Sequence, residues 1–235
     1  FQEIDVGNGM EKFRKDVKEN IFENNTQCTF QIYLFILRLY NKDNTSLTSY
    51  NADASEIKRI LWKQYLNFMD KYEEKILLIL SDQGKKKMVE KIRQGIINLE
   101  QAIMSEDYYL TNLDIILLNL YYNLPIVLIS LKKFGENKKK VLLLKTNKEG
   151  KYFYIKQGAV KRDEPRLTSL LYLDESFMLD KTDLSEELLQ EIELEERSEE
   201  FPERLNNILQ DFKSVNFKRK KKVKLIIQDS NSEEN

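Results

Sequence analysis

The sequence predicts a mixed α/β fold in which a helical N-terminal half packs on a small, mostly antiparallel sheet, with a charged C-terminal extension. Apolar residues recur at helical spacing in several segments before residue 105. Runs suited to strands lie at about 126–130, 141–146 and 151–156, and the chain becomes strongly charged beyond residue 175. We therefore expect an α/β domain over 1–175, followed over 176–235 by an acidic helix and a basic segment.

The strongest fold signal is the segment 106–130, where an acidic entry leads into an apolar helix and then into a short buried strand. Thr111 or Asn112 is suited to cap this helix, and Pro125 ends it. The apolar positions at helical spacing are Leu113, Ile116, Leu117, Leu120 and Tyr121. The apolar run from Ile126 to Ile129 is typical of a central strand.

Helices are also predicted over residues 11–23, 28–40, 56–68, 71–80 and 85–104 from their apolar spacing. The second of these is almost wholly apolar, which indicates a helix buried on most faces against the 113–122 helix. Ser55 is suited to cap the third, and Gly95 interrupts the last.

A β-hairpin is predicted over residues 138–157. Two strand-like segments, 138–146 and 151–157, flank Asn147-Lys148-Glu149-Gly150. Asn and Gly at these positions are typical of turns that join adjacent antiparallel strands.

Composition excludes several classes of function. The chain has 235 residues, one cysteine, no histidine and a net charge of −1 at pH 7. One cysteine excludes an internal disulfide and a multi-cysteine zinc site. Because histidine is the usual general base and the commonest metal ligand, its absence leads us to expect no metal and no cofactor.

The sequence also bears on location. No apolar run approaches the roughly 18 residues of a membrane span, and residues 1–11 lack the pattern of a secretory signal. We expect an intracellular protein that is not secreted and has no membrane span. Phe1 in place of Met indicates a chain trimmed at its start or cut from a longer protein.

Charge is segregated near the C-terminus. Residues 180–203 hold eleven Asp and Glu against two basic residues, a charge of about −9, whereas 213–224 hold seven basic residues and no acid. Such a basic run can contact phosphates, act as a nuclear localisation signal, pair with the acidic segment or stay solvated. The candidate residues for binding nucleic acid or a partner are Lys218, Arg219, Lys220, Lys221, Lys222 and Lys224.

Cys28 is the candidate nucleophile, because it starts an apolar helix whose free N–H groups favour a thiolate. The alternative is a small buried residue of a core helix, which we favour since no histidine is present to act as its base.

Two polar features have ordinary explanations. The run from Gln83 to Lys87, Gln-Gly-Lys-Lys-Lys, lacks the spacing of a P-loop and predicts a solvated basic first turn rather than a phosphate site. Interaction with a helix dipole is favoured over hydrolysis or Mg²⁺ binding as the role of the carboxylates Glu100, Glu106, Asp107 and Asp114.

The order of these elements resembles the ovarian-tumour (OTU) class of cysteine proteases, many of which are deubiquitinases. That family opens its catalytic helix with Asp-Gly-x-Cys-Leu-Phe, and this chain has Asn25-Thr26-Gln27-Cys28-Thr29-Phe30. The family's next helix and strand are similar to Tyr108 to Asp114 and Ile126 to Ile129. Where the family has its catalytic His beside a Tyr, this chain has Tyr152-Phe153-Tyr154. The resemblance covers about residues 20 to 157.

The resemblance implies an OTU-like architecture that lacks the catalytic His. We therefore predict a non-catalytic OTU-like binding or structural module of a larger protein. The expected partners are other protein subunits, a ubiquitin-like protein, which the resemblance implies, and nucleic acid, which the basic run predicts.

The stretch DYYLTNLDI…LPIVLIS is similar to segments near the ends of long proteins of large nucleocytoplasmic DNA viruses, which predicts a viral protein in the host cytoplasm, the nucleus or the virion. Two alternatives stay open. One is an active OTU-type cysteine deubiquitinase with Cys28 as nucleophile and a base other than His in this chain. The other is a virion structural or transcription-associated component.

Overall fold

The computed structural model describes residues 17–21, 28–43, 53–134, 139–158, 162–165, 167–197 and Leu205. Its α-helices are α1 Cys28–Asp43, α2 Ala54–Asp82, α3 Lys86–Arg93, α4 Leu99–Met104, α5 Asn112–Tyr122 and α6 Glu186–Glu196. Its strands are β1 Lys18–Ile21, β2 Ile126–Phe134, β3 Lys139–Leu143, β4 Lys151–Gln157, β5 Thr168–Tyr172 and β6 Leu179–Asp180. Helices come first and most of the sheet follows, which confirms the predicted fold class.

The described strands form one sheet of order β1-β5-β4-β2-β3, with β6 paired to the first residues of β4. Only β2 and β4 run parallel, with Ile126 opposite Phe153, and the other pairs are antiparallel. The sheet is therefore mostly antiparallel, as predicted.

The predicted hairpin over 138–157 is wrong in its pairing. Strands β3 and β4 do not pair with each other, because β2 lies between them. Side chains of β2 are buried on both faces of the sheet, since Leu128 and Val127 belong to two different apolar clusters. A strand buried in this way is typical of the interior of a sheet, where it has a neighbouring strand on each side. A connection over residues 144–150 is long enough to span the roughly 10 Å between next-nearest strands. Gly150 still makes the expected turn at φ 69°.

The N-terminal helix predicted over 11–23 is wrong for residues 18–21. These residues form β1, which pairs antiparallel with β5 so that Lys18 lies opposite Tyr172. Glu19 of this strand accepts hydrogen bonds from Lys156 and Ser169. Contacts with distant residues therefore select a strand in a segment whose own pattern suits a helix. Residues 11–16 and 22–23 lie outside the described residues.

The helical half also differs from the prediction at two boundaries. The helices expected over 56–68 and 71–80 are one continuous helix, α2, whose N-cap is Asp53 rather than Ser55. The helix expected over 85–104 is split into α3 and α4. Gly95 at φ 71° follows the end of α3, and Asn98 starts α4 with a capping box.

Two apolar clusters lie on opposite faces of the sheet. The larger joins α1, α2 and α5 to sheet residues such as Phe153 and Ile155, and it also contains Leu205. The smaller packs Leu188 and Ile192 of α6 against Tyr154 and its neighbours. Both β6 and α6 lie beyond residue 175 and contact the sheet, and the division into 1–175 and 176–235 stays a prediction.

Among the described residues, none of the helices has the length and apolar character required to cross a membrane.

Candidate functional site: a buried lysine and aspartate at the start of helix α5

Cys28 starts α1, as predicted, but its side chain is buried. Only 2% of the residue is exposed, and the next two residues, Thr29 and Phe30, are equally covered. Thr29 Oγ1 accepts a hydrogen bond of 2.8 Å from the backbone N–H of Leu110. The start of α1 is thereby fixed beneath residues 105–111, the segment that connects α4 to α5.

Asp114 is the most heavily bonded side chain in this region. Its Oδ1 accepts hydrogen bonds from Tyr65 Oη at 2.6 Å and Tyr108 Oη at 2.8 Å. Its Oδ2 accepts from the backbone N–H of Thr111 at 2.6 Å and from Thr111 Oγ1 at 2.8 Å. The bond from the Thr111 N–H, together with one of 3.4 Å that the Asp114 N–H donates to Thr111 Oγ1, forms a capping box with Thr111 as N-cap of α5. The carboxylate therefore has four donors although Asp114 is 0% exposed.

Lys85 lies beside this carboxylate with its side chain only 2% exposed. Its Nζ is 3.6 Å from Asp114 Oδ2, 2.9 Å from the ring centroid of Tyr108 and 4.7 Å from that of Tyr109. Nζ has no hydrogen-bond acceptor among the described residues. Burial lowers the pKa of Lys85 to about 7, against the opposing attraction of Asp114 and with a smaller lowering effect of Lys58.

This position corrects the prediction for residues 83–87. Lys86 and Lys87 are exposed, as a solvated first turn requires, but Gln83, Gly84 and Lys85 are buried. The sequence contains a signal for this burial, because Lys85 shares the helical spacing of the apolar residues Met88, Val89 and Ile92. A lysine on an apolar face needs a partner, and that partner is far away in sequence.

Lys58 connects α2 to the same region. Its Nζ donates a hydrogen bond of 2.6 Å to the backbone carbonyl of Ser105 and lies 5.3 Å from the ring centroid of Phe30. Burial lowers the pKa of Lys58, while the negative charge of Glu106 opposes that shift. Lys58 thus holds the 105–111 segment over the start of α1.

The two tyrosines act as hydrogen-bond donors to a carboxylate. Burial first, and the nearby charge of Asp114 second, raise the pKa of Tyr65 and of Tyr108 well above the ordinary value. Both hydroxyls therefore stay protonated at neutral pH and keep donating to Asp114.

The other predicted carboxylates lie apart from this cluster. Glu100, Glu106 and Asp107 are exposed, and only Asp114 is buried. The described residues contain no group of three or more acidic, cysteine or histidine side chains arranged to hold a metal ion.

A surface cavity of about 440 Å³ lies elsewhere, beside the turn that precedes β4. Lys181 Nζ donates a hydrogen bond of 2.8 Å to Glu196 Oε2, and Tyr152 Oη donates one of 2.5 Å to Glu196 Oε1. Lys181 and Glu196, which line this cavity, are therefore already paired with each other.

The predicted binding residues of the basic run, Lys218, Arg219, Lys220, Lys221, Lys222 and Lys224, lie outside the described residues.

Cys28, Lys85 and Asp114 are all buried; Lys85 and Asp114 lie beside the 105–111 segment, to which Thr29 joins the start of α1, and Tyr65, Tyr108 and Lys58 complete this region. Sequence reasoning identified Cys28 and Asp114 but missed Lys85 and the tyrosine donors. The arrangement can fix the ends of α1, α2 and α5 and store a proton on Lys85.

Comparison with known proteins adds no relative: no family model, curated protein or solved structure matches this chain significantly. The resemblance to the OTU class stays a prediction based on the residues quoted above.

Proposed function

We propose that this chain is a non-catalytic, OTU-like module of a larger viral protein, and that it acts by binding protein or nucleic acid. The observation that supports this most is the burial of Cys28, which is 2% exposed in a chain without histidine. A cysteine nucleophile must be reached by its substrate and needs a neighbouring base or positive charge to become a thiolate.

The hydrogen bonds around Cys28 support the same proposal. Thr29 Oγ1 is occupied by the N–H of Leu110, and Lys58 holds Ser105 above it. These bonds tie the 105–111 segment to the first turn of α1 and to α2. The region is therefore better suited to hold the fold together than to admit a substrate.

The charge pattern supports binding. The run from Lys218 to Lys224 has the charge density that contacts phosphates, and it also has the composition of a nuclear localisation signal. The outer face of α6 presents exposed acidic residues such as Glu186 and Glu187. Opposite charges on neighbouring segments favour partners recognised through electrostatics.

Alkylation of Cys28 tests the absence of catalysis. Because Cys28 is the only thiol, a thiol reagent gives a single readout in the intact protein. We expect native protein to react far more slowly than protein unfolded in urea. Rapid labelling of the native protein, with a thiolate that forms well below the free-thiol pKa of about 8.5, would support the hydrolase instead.

A salt-dependent titration with nucleic acid tests binding. In a triple variant, Lys220→Gln, Lys221→Gln and Lys222→Gln remove three charges from the basic run. The matched control removes three charges from α3 by Lys86→Gln, Lys87→Gln and Lys91→Gln, all of them exposed. We expect only the first variant to lower the slope of log affinity against log salt, by about 2 to 3.

Ubiquitin binding is measured in parallel, because the resemblance also implies a ubiquitin-like partner. If the intact protein binds neither nucleic acid nor ubiquitin, the proposal fails. Equal effects of the two triple variants would show that the basic run has no special role.

A further inference from the structure

The junction between α2 and α3, residues 83–85, is fixed to three other parts of the chain. Gln83 Oε1 accepts a hydrogen bond of 3.1 Å from the N–H of Leu113 at the start of α5. The carbonyl of Gly84 accepts one of 2.6 Å from the N–H of Asp163. The side chain of Lys85 lies beneath Tyr108. The junction therefore holds α5 and residues 162–165 against the end of α2.

The hydrogen bonds of Asp114 do not depend on Lys85. Its two oxygens already accept four hydrogen bonds, from Tyr65, Tyr108 and Thr111. None of these four hydrogen bonds involves Lys85. The proton on Lys85 can therefore be lost while the rest of the cluster stays bonded.

The ammonium form of Lys85 is poorly satisfied in this position. It carries three donors but has no hydrogen-bond acceptor among the described residues, only an ion pair at 3.6 Å and two ring faces. The titratable groups around the junction are Asp114 of α5, Tyr65 and Lys58 of α2, Tyr108 and Tyr109 of the 105–111 segment, and Asp163.

Some of these groups favour the charged form of Lys85 and others disfavour it. Asp114 attracts the charge of Lys85, whereas Lys58 repels it and burial disfavours it. Asp163 is occupied on the other side of the junction, where its Oδ1 accepts a hydrogen bond of 2.7 Å from the N–H of Lys87. The ammonium gains hydration when the junction leaves the cluster, and the neutral amine gains little.

We propose that the α2–α3 junction is a pH-dependent latch, which closes when Lys85 releases its proton and opens when Lys85 takes one up and its side chain moves into water. Opening breaks the bonds of Gln83 to Leu113 and of Gly84 to Asp163, so the start of α5 becomes accessible. The latch goes beyond the binding function proposed above and does not depend on it.

The direction of the pH effect follows from linkage. Burial lowers the pKa of Lys85 to about 7 in the closed junction, and the ordinary value of 10.5 applies once the side chain is in water. Between these values the open form binds more protons, so the opening constant falls about tenfold for each unit of rising pH. Below about pH 7 both forms are protonated and the opening constant becomes constant.

Amide hydrogen exchange of the intact protein measures this opening directly. The informative amides are those of Leu113 and Asp163, with Leu117 inside α5 as a reference for global unfolding. Each rate is divided by the rate of the unstructured chain at the same pH. We expect the opening constants of Leu113 and Asp163 to fall about fiftyfold between pH 7 and pH 9, since half of the closed form is protonated at pH 7, and to exceed that of Leu117.

Lys85→Met removes the proton and keeps the length of the side chain, and Lys86→Met is the matched control because Lys86 is exposed. We expect opening in Lys85→Met to be independent of pH, and opening in Lys86→Met to follow the unchanged protein. The same slope in Lys85→Met and the unchanged protein would overturn the latch.

The unchanged protein decides the question even if Lys85→Met does not fold. A pH-independent opening constant at Leu113 and Asp163 would overturn the proposal. So would equal opening constants at Leu113, Asp163 and Leu117, because the junction would then open only when the whole protein unfolds.

Discussion

Replacing Asp114 by asparagine removes the charge at the centre of the buried cluster and keeps the shape of the side chain. The amide oxygen can still accept from Tyr65 and Tyr108. The amide nitrogen, however, then faces the N–H and the hydroxyl of Thr111, which now donate to Asp114 Oδ2 at 2.6 and 2.8 Å. The N–H of Thr111 would then face another donor, whereas the Thr111 hydroxyl can turn to accept, and Lys85 would lose the carboxylate beside it.

The expected loss is large because every affected group is buried. Each lost hydrogen bond to a charged acceptor costs about 1.5–3 kcal/mol, and breaking a buried ion pair costs about 3–5 kcal/mol. These costs overlap, since Lys85 can release its proton. We therefore expect Asp114→Asn to lower the free energy of unfolding by about 4 kcal/mol, a substantial part of the roughly 5–15 kcal/mol typical of a domain.

Urea unfolding measures this loss through circular dichroism and through fluorescence of Trp62, the only tryptophan, which packs against the larger apolar cluster. The control is Asp107→Asn, an equal change at an exposed carboxylate, for which we expect a change within about 0.5 kcal/mol. In the double variant Lys85→Met with Asp114→Asn, the loss caused by Asp114→Asn should shrink, because no buried amine remains to be left alone. A loss below about 1 kcal/mol for Asp114→Asn would refute the assigned role of the carboxylate.

Two further substitutions test other parts of the fold. Ile192→Ala, at a side chain of α6 that is 0% exposed, should lower the free energy of unfolding by about 2–5 kcal/mol, whereas Leu194→Ala, at a residue 66% exposed on the same helix, should be near neutral in the same urea assay. Equal effects would contradict the packing of α6 on the sheet. Glu19→Gln should destabilise by about 3–5 kcal/mol, because it leaves Lys156 buried beside β1 without its carboxylate, with side-chain exposures of 9% and 10% for the pair. Thermal unfolding is measured for this variant, for Lys156→Met and for the double variant, which together give the coupling energy of the pair. If the losses of the two single variants add up to that of the double variant, the ion pair contributes nothing to stability.

The segment 106–130 is the part of the fold that the sequence predicts best. Thr111 as N-cap, the helix up to Tyr122 and the strand from Ile126 all form as predicted. Their causes are local, since a cap bonds to an N–H group three residues away and Asn123, in the left-handed conformation at φ 55°, ends the helix two residues before Pro125. Helix α1 also forms where it was predicted, because its almost wholly apolar composition suits a buried helix.

The pairing of strands is the part that the sequence does not predict. A turn forms at Asn147 and Gly150, but the connection that contains it joins β3 to β4, which are separated by β2 and are not adjacent strands. Which strands become neighbours depends on which faces must be covered, and this is decided by residues far apart in the chain. For the same reason residues 18–21 become a strand beside β5.

The candidate site also has some features that the sequence predicts and others that it does not. The residues alone were enough to predict that Cys28 starts a helix, that this chain has no histidine to assist it, and that an acidic residue lies at the start of α5. The burial of Cys28 and the position of Lys85 beside Asp114 follow instead from how distant elements pack together. Helix ends and caps are set by interactions within a turn, whereas burial of a thiol or an amine is set by the elements that pack over it.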